Sequence, residues 1–218
     1  MAAINAPASN TIEVIRNGID KIFFETRKAE DKLAKLLFIG QMDYLPNIDA
    51  VTYFYREILP AIKAEIPNIV FEIVGRNPTE ELFDICTDAV ITGEVNDVRD
   101  YLATAAVFVA PMRLAFGVQN KILEAMAACV PVVSTDRALS GLHVREGEEI
   151  LIADSPADFA QCCIALIQNQ QLAESICSNA KQHVQQEHDW DLILAGFEAS
   201  LETKANGNRS PHRVHTRR

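Results

Sequence analysis

The chain reads as an α/β protein: a doubly wound parallel sheet with helices on both faces, followed by a closing run of helices. Three observations predict this. Six short apolar runs bounded by turn residues recur between Leu36 and Ala153. Segments of helical spacing separate them. After Ser155 the strand-like runs stop and only helical periodicity remains. Near-continuous apolar strands joined by helical crossovers mark a parallel sheet, because the crossovers cover both faces and leave neither in water.

In chain order, Leu36-Leu-Phe-Ile-Gly40 is the first predicted strand, ended by glycine. Asn47 to Glu65 has helical spacing and stops before Pro67, which disfavours a helical residue ahead of it. Strands are predicted over 69–75, 89–93, 107–111, 130–134 and 150–153, with helices over 78–86, 97–104 and 117–128 between them. Three more helices are expected over 155–168, 171–186 and 190–201. Ser155 caps the first of these, with Pro156 in its first helical position, where no N–H is needed.

Hydrophobic residues make up 49% of the 218, enough for a sizeable core in one domain, taken as 12–203. Residues 1–11 are small and polar and are expected to be flexible. The formal charge of −10 argues against a nucleic-acid partner. Lys204, Arg209, Arg213, Arg217 and Arg218 follow the last acid, Glu202, so 204–218 is expected to be a disordered basic tail or a contact for an anionic surface. Cys86, Cys129, Cys162, Cys163 and Cys177 form no C-x-x-C pair and read as buried thiols of a reducing compartment. No apolar run is long enough to span a bilayer, and the amino end lacks a secretory pattern. A cytoplasmic protein is expected, held near the inner membrane if its acceptor is there.

Open parallel sheets bind ligands beyond the carboxyl ends of their strands. The loops there are Gln41-Met-Asp-Tyr, Arg76-Asn-Pro, Glu94-Val-Asn and Met112-Arg-Leu-Ala-Phe, which would form one rim. Next to it, a helix starting at Gly117 would carry Lys121 and Glu124 on one face with Asn120 beside them. Val118, Ile122, Ala125, Met126 and Cys129 would fall on the other. The free N–H groups and dipole of a helix start attract an anion. A carboxylate two turns on can accept from both hydroxyls of a ribose, so the spacing points to a nucleotide. Each residue also has a plainer reading. Lys121 and Glu124 could pair on a solvated face, Arg113 could join a surface ion pair, Gly40 could simply end its strand, and Arg76 could belong to a structural turn. Asp43 and Asp136 could meet sugar hydroxyls or cap turns. His183 and His188 read as surface residues, and the five histidines show no metal spacing. No G-x-G-x-x-G follows a strand and no G-x-x-x-x-G-K-[ST] occurs, against a nicotinamide dehydrogenase or an ATPase loop.

The run Gly117-Val-Gln-Asn-Lys-Ile-Leu-Glu-Ala-Met-Ala with Pro131-Val-Val-Ser-Thr resembles the donor-site signature of the retaining family-4 glycosyltransferases, above all the sugar transferases of exosortase and exopolysaccharide systems. Asn17-Gly-Ile-Asp, Phe38-Ile-Gly-Gln-Met-Asp-Tyr-Leu-Pro-Asn, Ile73-Val-Gly-Arg-Asn-Pro, Thr92-Gly-Glu-Val-Asn-Asp-Val-Arg, Val109-Ala-Pro-Met-Arg and Trp190 match in the family's order. The resemblance implies the Rossmann-like, donor-binding half of a two-domain (GT-B) fold. It also implies a UDP- or GDP-hexose donor, a polysaccharide or lipid-linked acceptor and no obligatory metal or other cofactor. It makes Glu124 the acceptor for the donor ribose and puts Glu94 and Val95 against the base. Phe116 stands where many members carry a sugar-contacting glutamate, and Gln41 where they carry a basic residue for the phosphates. Arg113 and Lys121 would take over that duty and stabilise the departing diphosphate. Gly40, Arg76, Gly117, Val118 and Asn120 complete the expected contact set. The acceptor half would lie outside this chain, leaving an apolar face near Trp190 uncovered. A non-catalytic binding module and one subunit of a split transferase are the other readings.

Overall fold

The computed structural model describes residues 15–27 and 34–207. The expected flexible segment 1–11 and most of the expected tail, 208–218, lie outside the described residues. Six strands form one parallel sheet: β1 (Lys35–Ile39), β2 (Val70–Val74), β3 (Val90–Ile91), β4 (Val107–Ala110), β5 (Val132–Ser134) and β6 (Leu151–Ile152). Their order is β3-β2-β1-β4-β5-β6. The chain therefore winds outward from β1 in one direction and from β4 in the other. β1 starts one residue ahead of its predicted run, at Lys35, and the other five strands lie within theirs. The central strands are buried along nearly their whole length, while β3 and β6 at the edges are short and partly exposed.

Right-handed crossovers put the helices of the two halves on opposite faces. One face carries α2 (Leu45–Tyr53), α3 (Leu59–Glu65) and α4 (Glu80–Ile85), with α7 (Pro156–Gln168) packed on α3. The other carries α5 (Arg99–Thr104) and α6 (Asn120–Ala127), with α8 (Gln170–Glu187) and the short α1 (Lys21–Phe24) packed on α6. Phe54 ties the first face together, with its ring 4.7 Å from Phe71 of β2 and 5.9 Å from Phe159 of α7.

Local chemistry accounts for the element boundaries. The single helix predicted over 47–65 starts at Leu45 and is interrupted by a π-helical turn, Phe54–Ile58, before α3. Pro60 in the first turn of α3 has no N–H for the carbonyl four residues back, and its ring would crowd that carbonyl; the wider turn accommodates both effects. Thr79, Ser155 and Asn169 accept from backbone N–H groups of α4, α7 and α8, so α4 starts two residues later than predicted and α7 as predicted. The last helix, α9 (Trp190–Gly207), runs past the expected domain end at 203.

The two ends of the described chain are fastened to each other. Ile19 N–H donates to the His188 carbonyl at 2.7 Å, and His188 Nδ1 lies 2.7 Å from the Asn17 carbonyl. Gly18 lies so close to Trp190 that a Cβ there would be 2.3 Å from the indole. His188, expected at the surface, is buried by this junction, and burial pushes its imidazole below the usual range. His183 is largely covered beside Glu149. Beyond Trp190, Leu192, Leu194 and Leu201 of α9 are exposed.

At the carboxyl edge of the sheet, Gly75 follows β2 with φ +151°, and a Cβ there would lie 1.7 Å from the Gly40 carbonyl oxygen. Backbone that close tolerates no side chain. Gly75→Ala is expected to destabilise the chain by more than about 3 kcal/mol in urea unfolding, because β1 and β2 must part to admit the methyl group.

Candidate functional site

The winding of the sheet reverses between β1 and β4, and the crevice beyond their carboxyl ends is where a doubly wound fold binds ligands. Gly40 ends β1 there, and Pro111 to Gly117 leave β4 on the other side. Neighbouring loops are tied across the rim. Met42 N–H donates to the Arg76 carbonyl at 2.8 Å, and Gly75 N–H to the Gly93 carbonyl at 3.2 Å. The Arg76 guanidinium donates to the Gln41 side chain at 2.9 Å.

Helix α6 starts at Asn120 rather than at Gly117. Gly117 sits in the preceding loop with φ +67°, a left-handed conformation that suits glycine and halts helical geometry before the first turn. The expected face therefore consists of Lys121 and Glu124, one turn apart, while Ile122, Ala125 and Met126 are buried against the sheet. No side chain caps α6, unlike α4, α7 and α8; Ile122 N–H donates to the Gln119 carbonyl at 3.0 Å, and no cap competes with an anion for the N–H groups of Asn120 and Lys121 ahead of it.

Lys121 turns into the crevice. Its ammonium donates to Asn47 Oδ1 at 2.6 Å and lies 4.4 Å from the centre of the Phe38 ring. Burial pushes its pKa down to about 8, against a smaller upward pull from Glu124. Burial likewise raises the Glu124 carboxyl, opposed by Lys121. Ala128 N–H donates to the Glu124 backbone carbonyl at 2.9 Å, and among the described residues nothing donates to its carboxylate. The solvated lysine–glutamate pair considered from spacing is not what forms: both groups are partly buried, and the lysine bonds to Asn47.

Arg113 does enter an ion pair. Its Nε donates to Asp49 Oδ2 at 3.1 Å, a second guanidinium nitrogen contacts Asp49 Oδ1, and its Cζ lies 4.4 Å from the centre of the Tyr53 ring. Gly40 is more than a strand end, because a Cβ on it would lie 2.7 Å from Asn47 Nδ2 and 3.1 Å from Lys121 Nζ. Phe116 is 79% exposed in the loop after β4. Val118 is partly buried, and Gly141 approaches it so closely that a Cβ there would meet its side chain at 3.1 Å. Asn120 is exposed and accepts from Asn17 Nδ2 at 2.9 Å. Glu94 is exposed and Val95 half-buried after β3, two strands from the crevice. Asp43 accepts from Asn77 Nδ2 at 2.9 Å, a bond that holds its carboxyl below the usual range.

Asp49 and Tyr53 of α2 were not singled out from the sequence, and Asn47, the last residue of the Phe38–Asn47 family match, was given no role in the site. Asn47 carried a signal. It opens the apolar stripe continued by Ala50, Val51, Phe54 and Ile58, and a polar residue on a core-facing stripe needs a partner. Among the described residues no group of three or more His, Cys, Asp or Glu could hold a metal ion, and no helix is long and apolar enough to cross a membrane.

Residues 33–169, well over half of the chain, match the family model described as glycosyl transferases group 1. The chain belongs to that family. Its sheet and flanking helices match the Rossmann-like domains of GT-B glycosyltransferases. An uncharacterized 44.6 kDa protein of the cps region of Klebsiella pneumoniae is 26% identical over 172 residues, covering 74% of this chain and 44% of that protein. A phosphatidyl-myo-inositol mannosyltransferase of Mycolicibacterium smegmatis is 27% identical over 212 residues, covering 92% and 54%. The structure of Anabaena HepE in complex with UDP and glucose superposes with a TM-score of 0.72 at 16% identity, over 88% of this chain and 57% of that one. This group 1 chain thus spans about half the length of the curated relatives it matches.

The depressed pKa of Lys121 has a signed consequence. Between about pH 8 and the ordinary 10.5, the unfolded chain holds a proton that the folded lysine releases, so the lysine's unfavourable contribution fades as pH rises. The stability difference between Lys121→Met and the unaltered chain is expected to shift by up to about 3 kcal/mol in favour of the unaltered chain across that window, read from urea midpoints.

Proposed function

We propose that this chain is the donor-binding half of a retaining, family-4-type glycosyltransferase, of the kind associated with exosortase and exopolysaccharide assembly. It binds a nucleotide-diphosphate hexose, with UDP or GDP as the nucleotide, in the crevice between β1 and β4. One observation carries the reading: Lys121, partly buried against Asn47 beside Gly40, and Glu124, partly buried one turn on, lie in the first turns of α6, whose start no side chain caps. A cation and open N–H groups suit a diphosphate, and a carboxylate with free oxygens suits the ribose hydroxyls. HepE was solved with UDP and glucose, which makes UDP the first nucleotide to try.

In this reading Lys121 and the start of α6 stabilise the charge that develops on the departing diphosphate. Arg113 adds a second cation, oriented by Asp49 and partly offset by it. Gly40 lets the phosphates approach backbone, and Gly117, Val118 and Asn120 shape the loop that receives them. Arg76 steadies the loop after β1, while Glu94 and Val95 line the base end. Exposed Phe116 offers the sugar an apolar face where relatives use a carboxylate. Acceptor binding falls to a second half, in the same or another polypeptide, and the complete enzyme works in the cytoplasm at the inner membrane if its acceptor is lipid-linked.

Isothermal titration of the chain with UDP and with GDP tests this. One of them is expected to bind, and Glu124→Ala to weaken it by about 1–3 kcal/mol, or roughly 5- to 150-fold, as a ligand-bonded carboxylate is lost. Absence of heat with both nucleotides, or an unchanged affinity in Glu124→Ala, would contradict the reading.

A further inference from the structure

We propose that Asn47 is a positioning residue for the donor site, whose side-chain amide holds the Lys121 ammonium toward a nucleoside diphosphate without cancelling its charge. The inference rests on the donor reading above and deepens it. Asn47 is 5% exposed, yet both ends of its amide are used: Oδ1 accepts from Lys121 at 2.6 Å, and Nδ2 donates to the Gln41 carbonyl at 2.9 Å. Its place under Gly40 is confined, since even a Cβ on that glycine would collide with it. The amide therefore cannot swing away, and it fixes the lysine relative to the loop that follows β1.

The chemistry of the acceptor matters as much as its position. Asp49, two residues further along α2, holds Arg113 with a carboxylate, which offsets the arginine's charge. Lys121 is held by a neutral amide and a ring face, so the bond orients the ammonium and leaves its charge to act on an incoming anion. The amide oxygen also favours the protonated lysine, whose pKa burial pushes down to about 8. Glu124 is the titratable group facing Lys121, and it too favours the proton.

Two variants separate this from a purely structural role. The titration of Lys121 is followed by NMR of its Nζ or Cε without nucleotide, and UDP affinity by calorimetry from pH 6 to 10. In Asn47→Ala the lysine is expected to titrate about one pH unit lower, and the alkaline loss of UDP affinity to move down with it. In Asn47→Asp it is expected to titrate higher, while UDP binds roughly tenfold more weakly at neutral pH because the new carboxylate cancels the cation. That opposition is what an orienting, non-neutralising acceptor requires. A lysine titration unmoved in both variants would overturn the proposal, as would UDP affinities that ignore it. Failure of the unaltered chain to bind UDP or GDP while the lysine titration still moves would locate the error in the donor reading. If Asn47→Ala does not fold, Asn47→Asp decides alone, with the same two readouts.

Discussion

The candidate site depends on a lysine ammonium kept, partly buried, at the point where a parallel sheet changes direction. A buried cation is costly unless something nearby compensates it. Here the compensation comes from three elements: the Asn47 amide on α2, the Phe38 ring on β1 and the charge of Glu124 one turn along α6. None of these contacts is local in sequence apart from Glu124. The site exists only once β1 and β4 lie side by side, with α2 and α6 on opposite faces of the sheet. Fold and chemistry are joined at this crevice.

Glycine makes that convergence possible. Gly75 lets the end of β2 approach the Gly40 carbonyl, and Gly40 leaves room for Asn47 and the ammonium. The rim is knitted further by loop-to-loop bonds such as Arg76 to Gln41 and Asn77 to Asp43. These bonds use polar groups that spacing alone had offered to a ligand. Part of the rim's chemistry serves to hold the loops in place, and the groups left facing the crevice are the lysine, the carboxylate and the helix start.

Much of this was legible in the sequence because it is local. Apolar runs bounded by turn residues, the first three ending in glycine, marked the six strands, and Ser155-Pro156 marked the start of α7. The period of three to four put Lys121 and Glu124 on one face. What was not legible came from two sources. Backbone conformations that oppose a pattern were one: Gly117 in its left-handed state delays α6 to Asn120, and Pro60 forces a π turn into what reads as one helix. Long-range partners were the other. Nothing near Arg113 announces Asp49, sixty-four residues earlier, and nothing near His188 announces the Asn17 carbonyl that helps bury it.

The central claim is that a nucleoside diphosphate docks in the crevice between β1 and β4, against Lys121, Glu124 and the start of α6. Amide NMR of the labelled chain during a UDP titration tests it most directly. The account predicts shifts concentrated at Gly40, Gln41 and Gly117 to Glu124, with the Lys121 side chain moving along with them. Shifts confined to other parts of the chain, or a spectrum unmoved at millimolar nucleotide, would contradict it.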